Sequence, residues 1–236
     1  MIVSAHQPNF VPWLGFFDKM AQSDVTVLLD SVQFIKRGYQ NRARVKGPSG
    51  AQWLTVPVVT KGRYDQLTHH VEIDETQDWR QVHRRTLHGL LARTPHRDLV
   101  DELLEPVYGE GSPAMLAELN IALIREVAAR LEIDTRIVLL SELDAPGSSS
   151  QLMLNLTRAA GGDVYLSGPT GRKYLEPGMF ETAGIELRYH SFTPFEYAQP
   201  FGEFLPGLSC LDYVANVGFR SWRNQREDGK ALTPAS

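Results

Sequence analysis

IVSAHQPNFVPWLGFFDKMAQSDVTVLLD, residues 2–30, decides how the rest of the chain is read. Ile2–Ala5 is a short apolar run that stops at His6-Gln7-Pro8, the pattern of a buried strand running into a loop. From Trp13 to Ala21 the apolar residues fall at helical spacing, with Phe16, Phe17 and Met20 on one broad face. Asp24–Asp30 is rich in β-branched residues and bounded by acids, which reads as a second buried strand. Strand, loop, helix and strand within about thirty residues form a βαβ unit, and that unit implies a parallel sheet.

Outward from this unit, Arg42–Val59 holds two alternating runs around Gly47-Pro48-Ser49-Gly50, so a β-hairpin is expected over residues 42–59. Apolar residues at three- and four-residue spacing predict helices over Trp79–Leu91 and Pro113–Leu131, a helical insertion spanning about 78–132. The α/β pattern then returns. TRIVLLSEL, DVYLSG and GIELRYH read as strands. Ser148-Ser149-Ser150 can cap a helix running through Leu152, Leu156 and Ala160, which Gly161-Gly162 closes. A short helix is expected around Met179–Ala183. The last thirty residues, rich in Pro, Gly and aromatics, are expected to wrap the surface. With no internal repeat and no linker, the reading is one α/β domain over residues 1–236. It has a Rossmann-like parallel sheet, with the hairpin and the helical insertion between two α/β halves.

Composition narrows the function classes. A chain of 236 residues with 42% hydrophobic and 22% charged content can build a core without disulfides or metal. A formal net charge of −4 gives no global basic field, so no nucleic-acid partner is expected. The single cysteine, Cys210, excludes an intramolecular disulfide and a multi-cysteine metal site. No signal-peptide pattern opens the chain and no run nears the ~20 apolar residues of a membrane helix, so a cytoplasmic protein without a membrane span is expected.

Three stretches carry chemistry. HQPNFVPWLG (His6–Gly15) sits where the first strand ends, and open parallel sheets bind their ligands at carboxyl strand ends. His6 suits a base or a donor to an anion, supported by Gln7, Asn9 and Trp13. Asp30 ends the second strand at the same rim. Beyond it DSVQFIKRGYQNRARVK brings Gln33, Lys36, Tyr39, Asn41 and Arg42, cations offset by amides that suit a phosphate or carboxylate. YLSGPTGRKYL (Tyr165–Leu175) opens a strand into Ser167, Gly168, Gly171, Arg172 and Tyr174, which resembles an anion loop but matches neither a Walker loop nor a dinucleotide fingerprint. His83 and His88, five apart, are poorly spaced for a metal and read as helix-surface residues. Cys210, in LSCLDYV, reads as packing, and no GxSxG elbow is present.

The same residues carry a resemblance. HQPNFVPWLGFFDKM, SDVTVLLDSVQFIKRGYQNRARVK and QWLTVPV resemble the opening of WbqC-like proteins. GGDVYLSGPTGRKYL, GIELRY, YAQPFGEFLPGLSCLD and NVGF resemble that family's C-terminal half, in order. Cys210 departs from the pattern, standing where an aliphatic residue is expected. The resemblance implies a bacterial surface-polysaccharide (O-antigen) or related biosynthetic role, with glycine or aminoacyl transfer as the activity. Carried onto this chain, its site residues are His6, Gln7, Asn9, Trp13, Asp30, Gln33, Lys36, Asn41, Arg42, Ser167, Gly168 and Tyr174.

The leading expectation is an acyl or aminoacyl transferase that forms an amide on a small acceptor. His6, Asp30 and Lys36 are its catalytic group, with a nucleotide-linked sugar or a carrier-bound acyl group as partner. No metal site and no cofactor is assigned. A nucleotidyltransferase-like fold and reaction, with Ser167 and Arg172 on a triphosphate, is the alternative enzyme. A non-catalytic binding protein of a biosynthetic complex is the alternative class, marked by an exposed patch of Phe201, Phe204, Phe219 and Trp222.

Overall fold

The computed structural model describes residues 1–109 and 111–224. The opening βαβ unit forms as β1 (Ile2–His6), α1 (Leu14–Ala21) and β2 (Val25–Leu28), with β1 and β2 parallel. Strands β3 (Arg42–Gly47) and β4 (Gly50–Thr55) make the separate antiparallel hairpin, closing on the expected turn. Helices α2 (Trp79–Leu90), α3 (Arg97–Tyr108) and α4 (Leu116–Arg130) form the insertion. The chain then returns to the sheet through β5 (Arg136–Leu139), α5 (Ser149–Ala159), β6 (Val164–Ser167), α6 (Pro177–Thr182) and β7 (Glu186–Tyr189). All five sheet strands are parallel, in the order β5-β2-β1-β6-β7. The fold is therefore α/β and Rossmann-like.

Both sheet faces are covered, which is why β1 and β2 are buried almost throughout, their polar Ser4 and Thr26 included. Val3, Ala5, Val25 and Val27 pack with Met153 and Leu156 of α5 and with Phe180 of α6. On the other side Phe16, Phe17 and Met20 of α1 join a larger core built with α3, α4 and the hairpin.

The structure departs from the sequence reading in four places. Helix α3 was not expected. It lies within the expected helical insertion but is not predicted there as a helix of its own: Val100, Leu103, Leu104 and Val107 are buried at unbroken helical spacing, and Pro106 inside it is a residue that argues against a helix. Ser148 stands at the N-cap of α5 without a side-chain capping bond. His83 is buried rather than on the helix surface, its Nε2 2.9 Å from the Thr55 carbonyl. The last thirty residues do not simply wrap the surface. Residues 210–217 form α7 (Cys210–Val217), whose Cys210, Leu211, Tyr213 and Val214 are completely buried in the larger core. Within that stretch, residues 225–236 lie outside the described part of the chain.

Candidate functional site

In the strand order β5-β2-β1-β6-β7 the chain winds outward in both directions from β1. The gap between β1 and β6 is the topological switch point, where a parallel sheet leaves a crevice beyond its carboxyl ends. Here the crevice can be seen in the register. β1–β2 pairing runs to His6↔Leu28, whereas β1–β6 pairing stops at Ser4↔Leu166. Past Ser4 the two central strands part, and a cleft of about 750 Å³ opens above them. That is the size of an ordinary small-molecule site.

The His6–Trp13 loop forms one wall. It is held in an unfavourable path, because the β-branched Val11 has φ +33°. Distant parts of the chain fix it there. Asn120 of α4 donates to the carbonyls of Pro8 and Gln40, at 2.9 and 2.7 Å. Ser209, the N-cap of α7, donates its hydroxyl to the Val11 carbonyl at 2.7 Å, and the Cys210 amide donates to Pro12 at 2.9 Å. Gly15 is required beside it, since a Cβ there would lie 2.4 Å from the Trp13 ring. His6, Gln7, Asn9 and Trp13 all line the cleft. Asn9 is largely buried as a residue, and its amide makes no side-chain hydrogen bond within the described residues and is not sealed from the cleft.

His6 is half-buried, its ring 4.7 Å from Phe16. Its Nδ1 lies 3.0 Å from the Gln7 carbonyl, and a carbonyl only accepts, so Nδ1 carries the proton and Nε2 keeps its lone pair. Burial, then the nearby charge of Lys19, push its pKa down to about 3. The imidazole is neutral at physiological pH.

Lys19 also lines the cleft, and the sequence reading did not single it out. It sits in the last turn of α1, and helical side chains lean toward the helix N-terminus, so its stem climbs toward the sheet's carboxyl edge. Its Nζ donates to the Ala5 carbonyl at 2.8 Å, where β1 and β6 part. Burial lowers its pKa to about 8. The signal available was a lysine within an otherwise buried helical face, FFDKM.

The third expected stretch meets the cleft through Gly168, Pro169, Thr170 and Tyr174. The Ser167 hydroxyl is turned away, donating to the Gly168 carbonyl at 3.0 Å in a fully buried position. Arg172 stacks on Tyr189, 4.0 Å from its ring centre. Gly171 is buried, and a Cβ on it would lie 1.9 Å from Ser167 Oγ, so its place is packing in the turn. These engagements leave no serine–arginine pair facing a triphosphate.

The polar stretch after β2 divides. Tyr39, and Arg44 from β3, line the cleft. Asp30 does not; it is buried and accepts from the Ser141 amide at 3.0 Å and from the Ser141 hydroxyl. Asn41 donates to the Val56 carbonyl at 3.0 Å, and Gln33 to Asp65 at 3.3 Å. Arg42 donates to the Arg37 carbonyl and lies 4.0 Å over the Trp53 ring. Lys36 is exposed, its Nζ 4.5 Å over the Tyr64 ring. The apolar wall comes from Leu29, Val32, Ile35, Leu152 and Met153.

Elsewhere, Cys210 is wholly buried and burial pushes its thiol up to about 12, so it is no nucleophile at neutral pH. The aromatic patch is not formed: Phe201 is exposed, but Trp222 is buried and donates to Asp18 at 3.1 Å. No helix among the described residues is long and apolar enough to cross a membrane. Among them no group of three or more His, Cys, Asp or Glu is placed to hold a metal ion.

Residues 7–224 match the model of the WbqC-like protein family. The chain is also similar to a protein of Mycobacterium tuberculosis, the uncharacterized protein Rv1507c. The two are 33% identical over 217 residues, covering 92% of this chain and 94% of that one. No solved structure matches.

Proposed function

We propose a transferase: the chain belongs to the WbqC-like protein family, and its reaction is read here as acyl or aminoacyl transfer to the amine of a small acceptor. The setting is bacterial surface-polysaccharide assembly or a related biosynthesis, and the compartment is the cytoplasm. The observation that supports this reading is the cleft at the β1/β6 parting, with a neutral imidazole in its wall.

The acceptor amine attacks the donor carbonyl carbon. The bond to the donor's leaving group breaks, and the leaving group keeps the electron pair. The attacking nitrogen must lose a proton, and His6 Nε2 offers the lone pair. A free imidazole held at about pKa 3 is a weak base, but the amine becomes strongly acidic once it has added to the carbonyl, and charge on the acyl oxygen raises the imidazole toward it. Asp30 and Lys36 lie outside the cleft, and Asp30 acts by fixing the loop after β2 to the turn at Ser141. A nucleotide-linked amino sugar, or an acyl group on a carrier, fits the proposed chemistry as partner.

The test is product detection by mass spectrometry with acyl donors and amino-sugar acceptors, comparing wild type with His6→Gln. A general base contributes about 10²–10⁴-fold, so kcat is expected to fall by that much while the fold is kept. Unchanged turnover in His6→Gln would remove the imidazole from the mechanism.

A further inference from the structure

Lys19 is costly where it stands. An ammonium taken out of water needs an opposite charge or a full set of acceptors. Lys19 is 4% exposed, and among the described residues its one side-chain hydrogen bond is to the Ala5 carbonyl, which leaves two N–H donors without an acceptor there. No carboxylate among the described residues pairs with it. Its neighbour in the cleft wall, His6, is neutral and brings no negative charge. Of the other polar lining, Asn9 has an amide without a side-chain hydrogen bond among the described residues, and Arg44 adds a second cation. Around these groups the wall is aliphatic and aromatic, from Leu29, Val32, Leu152 and Met153 to Tyr39 and Tyr174.

We propose that Lys19 is the anion anchor of the cleft, taking a carboxylate or phosphate head group of a ligand whose body is apolar or planar. The proposal rests on the cleft being the substrate site and adds the chemical class of what enters it. The ligand's head group supplies the charge that the protein withholds, at the point where β1 and β6 part. Its body lies along the wall toward Val32 and Leu152. A Cβ on Gly168 would stand 4.0 Å from Lys19 Nζ, with nothing else nearer, so the anion's place is open from that side.

The geometry gives a test that needs no turnover. Binding of 3-phenylpropanoate, phenyl phosphate and the uncharged 3-phenylpropan-1-ol is measured by calorimetry and thermal shift. The proteins are wild type, Lys19→Met, Gly168→Asp and, as a control, the exposed Lys61→Met. Wild type and Lys61→Met are expected to bind one of the two anions at least tenfold more tightly than the alcohol. Which anion wins names the head group. In Lys19→Met the preference disappears, and Tm is no lower than in wild type because an unpaired buried charge has been removed. Gly168→Asp keeps the lysine but supplies a carboxylate within the chain, so it is expected to raise Tm and abolish anion binding. An anion preference that survives in Lys19→Met, or that is absent from wild type, overturns the anchor. So does a lowered Tm in both variants, which would make Lys19 a strut. Failed amide transfer alongside Lys19-dependent anion binding would sink the reaction and leave the anchor standing.

Discussion

Asp18 and Lys19 are consecutive residues of α1, equally buried and opposite in charge, and the protein treats them differently. Asp18 faces the β7 side, where its carboxylate accepts from Trp222 Nε1 at 3.1 Å and Gln22 Nε2 at 2.6 Å and meets His190 Nε2 at 2.7 Å. It ties α1 to the segment after β7 and to Trp222, near the end of the described chain. Lys19 faces the parting of β1 and β6 and, among the described residues, has a single backbone carbonyl. A buried charge with its partners in place is architecture. A buried charge left short of partners beside a cleft is a place where something else is expected to bind.

Removing each charge should break this contrast or sharpen it. The largest effect is expected from Asp18→Ala, which strands the indole and imidazole donors; stripping one partner from a buried charged network costs roughly 3–5 kcal/mol. Denaturant unfolding measures it, and a loss no larger than that of a surface substitution would show that the network is slack.

Next comes the pH response of Lys19. Its folded pKa of about 8 lies below the ordinary 10.5, so between those values the unfolded chain binds the extra proton. Stability attributable to Lys19 therefore rises with pH across that window, by up to about 3 kcal/mol, and is absent below pH 8. Tyrosines and Cys210, whose pKa values burial raises, act in the opposite direction, so the quantity to follow is wild type minus Lys19→Met. A difference that is flat from pH 8 to 10.5 would mean that Lys19 is well solvated or paired.

The smallest is Gly171→Ala. The added methyl collides with Ser167 and must shift the Gly168–Thr170 side of the cleft, costing about 1–3 kcal/mol as overpacking does. Anion affinity should fall with it. Unchanged affinity would detach this turn from the site.

The fold was legible because β1, α1 and β2 write their burial into periodicity. Ile2–His6 and Val25–Leu28 are short, almost wholly buried runs with Val3, Ala5, Val25 and Val27 on one face, and Phe16, Phe17 and Met20 recur at helical spacing. Helix α3 escaped because a proline inside it argues against a helix although its apolar period is intact, and α7 because eight residues in an aromatic- and proline-rich stretch give too few turns to show a period. Half of the candidate cleft's polar lining was legible too. His6, Gln7, Asn9 and Trp13 follow directly from a strand end, and a strand end in a parallel sheet is a rim.

The polar stretch after β2 was harder to divide. Lysine, arginine and amide side chains are long or bifunctional, and nothing local says whether they meet a ligand or a backbone carbonyl. Asn41 and Arg42 found carbonyls, at Val56 and Arg37, and Lys36 found a ring.

By itself, then, the sequence determined the parallel sheet, the hairpin, the strand-end loop and its histidine, since these depend on residues within a few positions of one another. Tertiary structure alone decided that β1 and β6, some 160 residues apart in sequence, should lie side by side and part after Ser4. It also decided that α7 and Asn120 should hold the loop, and that of two neighbouring charges Asp18 should be paired and Lys19 left facing the cleft. Those are questions of which distant surfaces share a low-dielectric interior, and periodicity along the chain holds no record of them.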